Sequence, residues 1–136
     1  MIYVHIPFCR SFCTYCDFYS EIASASCRGR ESLDRFARAL EKEVELRSGE
    51  IRNNLLDHKT ADTLYIGGGT PSVLPLSVLE SLLDALHKAG VGKSFKEFTV
   101  EVNPDDIVEK GHSYVEGLLK LGVNRISMGI QSFDDG

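Results

Sequence analysis

The sequence predicts an α/β chain, and more narrowly the first half of a parallel β/α barrel. Three observations carry that reading. Short β-branched stretches alternate with helical stretches that each bear one apolar stripe. Glycine or proline punctuates the ends of most of them. The residues with chemical potential follow directly on strands, where β/α barrels collect their functional groups at one mouth.

The first strand is IYVHI (2–6), which runs into Pro7 and a cysteine-rich loop. A small, polar stretch, SEIASASCRGRES, separates that loop from the first helix. There Leu33, Phe36, Ala37, Leu40 and Val44 recur at helical spacing on one face. DTLYIGGG (62–69) is the second strand, stopped by glycines. Ser77, with Glu80 three residues on, predicts a capping box. It opens a helix striped by Val78, Leu79, Leu82, Leu83 and Leu86 that ends at Gly90.

EFTVEVNP (97–104) and VNRISMGIQS (123–132) are the third and fourth strands. Between them Tyr114, Val115, Leu118 and Leu119 mark a helix closed at Gly122. The strands hold few charges, as expected of a sheet covered on both faces. The last residues, SFDDG, stand where the next helix is expected. The fourth strand is then an uncovered, aggregation-prone edge, and residues 1–136 read as the N-terminal part of a longer domain.

Length and composition set the class. A chain of 136 residues, 43% hydrophobic and 26% charged, can bury one core and forms one domain at most. A net charge of −5 leaves no electrostatic footprint for nucleic acid, and no basic run marks a membrane surface. The start, MIYVHIPF, has neither a basic n-region nor an apolar span. These features point to the cytoplasm, where clustered cysteines more often hold metal or do redox work than form disulfides.

CRSFCTYC (9–16) places Cys9, Cys13 and Cys16 at C-x3-C-x2-C spacing. Thiolates are the normal ligands of iron–sulfur clusters, four for a fully ligated [4Fe–4S] centre. Three of them on a short loop suit a cubane with one iron open to a small-molecule chelate. Zinc held by His5, Cys9, Cys13 and Cys16 is the rival arrangement. Cys27, eleven residues past Cys16 in a small-residue loop, reads as a bystander.

The other signals are less specific. GGGTP reads either as a tight turn before a helix or as a backbone that a carboxylate or phosphate can approach. It lacks the G-x-G-x-x-G spacing of a dinucleotide site. Glu101, between Val100 and Val102, is either a buried ion-pair partner or a rim acid that receives an ammonium or hydroxyl group. Gln131 is either a ribose ligand or a strand-end amide. His58, His87 and His112 sit in polar or helical contexts and read as surface residues.

Taken together, YVHIPFC, the C-x3-C-x2-C spacing with Tyr15 before its last cysteine, IGGGTPS, EVNP and NRISMGIQSF resemble the radical S-adenosylmethionine (SAM) family. Within it they are similar to the branch of oxygen-independent coproporphyrinogen III oxidases and HemW-type haem chaperones. The resemblance spans essentially the whole chain and favours the cubane over zinc. It implies the N-terminal half of a radical SAM, partial TIM-type β/α barrel, in which Cys9, Cys13 and Cys16 bind three irons of a [4Fe–4S] cluster.

SAM is then expected to chelate the fourth iron, with Tyr3 and Tyr15 beside it and Gly68, Gly69 and Thr70 at its methionine end. Glu101 and Gln131 are expected to contact it further along. A side chain at Gly69 should accordingly exclude SAM and spare the cluster. Reductive cleavage of the sulfonium would yield a 5′-deoxyadenosyl radical kept from water inside the barrel. The resemblance further implies haem or porphyrin as a partner, and an electron donor such as a flavodoxin or ferredoxin. The oxidases carry a fourth cysteine two residues after the third. Here that position is Phe18, which favours the haem chaperones over the oxidase that makes protoporphyrinogen IX. A zinc-binding structural module is the alternative of another class.

Overall fold

The computed structural model describes residues 1–9, 21–22, 27–58 and 62–129. Its main sheet has four parallel strands in the order β1-β4-β5-β6. These are β1 (Ile2–Ile6), β4 (Thr63–Gly68), β5 (Glu97–Val102) and β6 (Arg125–Met128). A separate two-residue ladder joins β2 (Phe8–Cys9) to β3 (Glu21–Ile22), on either side of the cysteine loop. Four helices complete the described chain: α1 (Cys27–Leu46), α2 (Ser48–His58), α3 (Leu76–Lys88) and α4 (Pro104–Lys120). A short 3-10 turn, Pro71–Val73, follows β4.

Alternation along the strands explains the core. Val4, Ile6, Leu64, Ile66, Phe98, Val100 and Val102 point to one face and are buried. Leu79, Leu82, Leu83 and Leu86 of α3 and Tyr114 and Leu118 of α4 join the same core. Val44 is buried with them, and Leu33, Phe36 and Leu40 of the predicted α1 stripe pack against the core, without Ala37. Phe98 is wholly buried and meets Phe95 edge to face at 5.8 Å. Phe98→Ala should therefore cost about 3–5 kcal/mol, the usual penalty for emptying such a site. A urea titration should record it as a lower midpoint at unchanged slope.

The predicted glycine stops are present. Gly90 and Gly122 follow α3 and α4 with φ of 101° and 95°. In each case the next amide reaches back to close the helix, Val91 to the Leu86 carbonyl and Val123 to that of Leu118.

Several boundaries differ from the sequence reading. Helix α1 starts at Cys27, so the polar stretch CRGRES is helical and Cys27 is a helix residue, not a loop residue. Helix α2 carries no strong apolar period and escapes that reading altogether; among its described side chains Ile51 and Leu55 pack on the core. Ser77 does not cap α3. The cap is Pro75, without a side-chain bond, and Ser77 lies inside the first turn.

Asn103 and Pro104 belong to α4 and not to the third strand. The Asn103 side chain accepts the Asp105 amide at 2.8 Å, and Pro104 fills the first helical position. Helix α4 is broken by Gly111, whose φ of 70° is not helical. The fourth strand is shorter than predicted, with residues 130–132 outside the described residues. Ile126 and Met128 are 40% and 42% exposed. No described helix is long and apolar enough to cross a membrane.

One expectation about the sheet is overturned. Among the described residues only one face is covered by helices. The ionisable strand residues His5, Glu97, Glu101 and Arg125 all alternate onto the other face, where Tyr3 is 51% exposed. In a half-barrel that face is the interior side, which accounts for polar residues at every second position.

Candidate functional site

The C-terminal ends of β1, β4 and β5 lie along one edge of the sheet, because all three strands run the same way. The register pairs Ile6 with Gly68, and the ladder continues past the strands. The Gly69 amide donates to the Ile6 carbonyl at 2.7 Å, and the Thr70 amide to that of Phe8 at 2.6 Å. The glycine turn is thereby stitched to the segment that ends in Cys9. Cys9 itself is a half-buried free thiol.

Each glycine of the turn answers to a different neighbour. A Cβ on Gly67 would lie 2.7 Å from the Tyr65 ring and 3.0 Å from the Glu101 carboxyl carbon. Gly68 has φ of 115°, which side chains rarely adopt, and a Cβ there would meet the His5 ring at 2.8 Å. At Gly69 a Cβ would sit 2.5 Å from the Phe8 carbonyl oxygen and 2.9 Å from the Cys9 sulfur. The first obstacle to a side chain at Gly69 is thus the cysteine segment, and the expected effect confined to SAM needs correction.

Glu101 is held from two sides. Its Oε1 accepts the Tyr65 hydroxyl at 2.6 Å, and its Oε2 accepts the Gly68 amide at 3.1 Å. Both donors are neutral, and among the described residues no lysine or arginine pairs with it. At the opposite end of the same face Glu97 does have its cation, Arg125, at 3.1 Å. Glu101 is therefore no buried ion-pair partner within the described chain. Its hydrogen bond to Tyr65, then burial, raises the Tyr65 phenol above its ordinary range, while the Ser127 hydroxyl acts the other way. Burial and then the Glu101 charge raise Tyr3 as well. Both phenols stay protonated, and so remain donors, at neutral pH.

Tyr3 lies beside this group. Its hydroxyl meets His5 Nδ1 at 3.0 Å, and its ring centroid is 6.0 Å from that of Tyr65. Below the turn, Ser72 Oγ donates to buried Asp106 at 2.6 Å and accepts the Asn103 amide at 2.9 Å. Lys110 donates to the Ser72 and Leu74 carbonyls and stands over the Tyr114 ring. Burial, then Asp106, pushes the Tyr114 phenol up to about 12, and its hydroxyl donates to the Leu74 carbonyl. These contacts anchor the residues after GGGTP to the start of α4.

Of the residues singled out from sequence, Tyr3, Cys9, Gly68, Gly69, Thr70 and Glu101 gather at this edge. Cys13, Tyr15, Cys16 and Gln131, with Phe18, lie outside the described residues. Sequence reasoning gave no individual role to Gly67 and Ser72 of IGGGTPS and passed over Tyr65 and Asp106. For Tyr65 a signal existed, since it occupies the same strand parity as the polar residues facing it.

The pattern that defines the radical SAM superfamily matches residues 3–136. The chain belongs to that superfamily. Two relatives, both haem chaperones HemW, come from Buchnera aphidicola subsp. Schizaphis graminum and Lactococcus lactis subsp. lactis. They are 32% and 38% identical over 98% of this chain. A solved structure, coproporphyrinogen III oxidase (HemN) from Escherichia coli, described as a radical SAM enzyme, superposes with a TM-score of 0.78. It is 30% identical over 98% of this chain. The present chain spans 32%, 31% and 28% of these three proteins respectively. Its α/β architecture is thus part of the radical SAM barrel, as the sequence predicts.

Proposed function

We propose that residues 1–136 are the N-terminal part of a radical SAM core domain in a cytoplasmic haem chaperone of the HemW type. One observation carries this reading. A free thiol, a side-chain-free turn stitched to it and a carboxylate that no described lysine or arginine pairs meet at one sheet edge.

The residues present fit a [4Fe–4S] cluster and SAM. Cys9 presents a free sulfur, and Gly69 keeps side-chain atoms away from it. Cys9, Cys13 and Cys16 would hold three irons and leave one for the amino and carboxylate groups of SAM. Tyr3, Tyr15, Gly68, Gly69, Thr70, Glu101 and Gln131 would surround SAM. Glu101, with neutral donors on both oxygens, keeps lone pairs for a cationic or hydroxyl donor. When bound, the group supplies a one-electron reduction of the sulfonium that breaks a carbon–sulfur bond. The two protonated phenols and the polar face would line this space. Haem is the proposed cargo, and a flavodoxin- or ferredoxin-like protein the proposed electron donor.

Phe18 and the HemW relatives favour the chaperone over the oxidase. The deciding experiment is an anaerobic incubation of the full-length protein with SAM, a reductant and either haem or coproporphyrinogen III. Haem should bind and pass to an apo-haemoprotein, and no protoporphyrinogen IX should form. Decarboxylation of coproporphyrinogen III would instead establish the oxidase. One zinc per chain, with no iron or sulfide, would establish the zinc module.

A further inference from the structure

We infer that Tyr65 is a positioning residue, reaching through the gap that Gly67 leaves to aim the Glu101 carboxylate at its ligand. The inference rests on the SAM-binding reading above and extends it to Tyr65, outside the motifs, and to Gly67, the motif glycine given no role so far.

The register makes the contact diagonal. Tyr65 is paired with Thr99, and Glu101 lies two residues further along β5 on the same face. Long side chains bridge such a diagonal only where nothing stands between them. Gly67 occupies the place from which a Cβ would press on both the Tyr65 ring and the Glu101 carboxyl carbon. With glycine there, the hydroxyl closes to 2.6 Å on Oε1. The Gly68 amide holds Oε2. One donor on each oxygen fixes the plane of the carboxylate.

A carboxylate held in this way does not lose rotamer freedom when a ligand arrives, so its hydrogen bond to that ligand costs less ordering. The raised ionisation of Tyr65 keeps the phenol a donor across the working pH range. A tyrosine present only for packing would lose nothing on becoming phenylalanine. Tyr65 should lose its effect on Glu101.

The test uses the full chain with its cluster reconstituted anaerobically, and SAM as the titrant. Iron content should be the same in the parent, Tyr65→Phe, Glu101→Gln and the double variant. Tyr65→Phe should weaken SAM about five- to twenty-fold, less than the full loss of one hydrogen bond to a charged group because Glu101 itself remains. In the Glu101→Gln background the same change should add almost nothing, because its target is gone. A second readout needs no SAM. The alkaline titration of Tyr65, taken as the absorbance difference between parent and Tyr65→Phe, should move to lower pH in Glu101→Gln.

Unchanged SAM affinity in Tyr65→Phe, or a loss that adds in full to that of Glu101→Gln, overturns the inference while leaving the SAM-binding reading intact. A parent that assembles its cluster and binds no SAM overturns the functional reading, and this inference with it.

Discussion

Alanine at Cys9, Cys13 or Cys16 should each abolish the brown iron–sulfur chromophore, while Cys27→Ala should leave it unchanged. The parent should bind roughly four irons per chain after anaerobic reconstitution, and each of the three variants close to none. Three thiolates are the whole protein ligand set in this reading, so losing one leaves two irons without protein ligands. Cys27 is set apart by position. It begins helix α1, eleven residues after Cys16 and beyond the β2–β3 ladder that brackets the cysteine loop. Iron and sulfide analysis beside the absorbance near 400 nm would measure this. Equal loss of iron from Cys27→Ala would show that the ligand set is wrong.

Gly69→Val should remove most of the bound iron even though all three cysteines remain. The new Cβ would fall 2.5 Å from the Phe8 carbonyl oxygen and 2.9 Å from the Cys9 sulfur, closer than such atoms can approach. The turn cannot readily swing away, because the Gly69 and Thr70 amides are bonded to the Ile6 and Phe8 carbonyls. Either those bonds open or the Cys9 segment moves. Overpacking of this kind costs about 1–3 kcal/mol in stability, and its displacement is directed at a ligand. Gly49→Ala is the control, since a Cβ there meets nothing within 4 Å. It should keep full iron content. A Gly69→Val protein with normal iron and no SAM binding would restore the sequence-based expectation that this glycine serves SAM alone.

Much of the fold was legible because it depends on local patterns. The short β-branched run IYVHI, the leucine stripe of α3 and the glycines after α3 and α4 are statements about neighbours in the chain. Where local signals were weak or in competition, the reading failed. Helix α2 has too little apolar period to announce itself. Ser77 and Glu80 form a plausible cap, but Pro75 and the preceding 3-10 turn already direct the chain into α3.

The sequence by itself determined the family, the order of the four main-sheet strands and of helices α1, α3 and α4, and the candidate ligands. Each of these depends on residue type and spacing within a short stretch. Only the tertiary structure decided that Gly69 guards Cys9 and that Tyr65 holds Glu101 across Gly67. It also decided that Ser72 ties the glycine turn to α4. Those pairs are 31 to 60 residues apart in sequence. The parallel register of β1, β4 and β5 brings them together, and register is a property of the sheet, which no single strand contains.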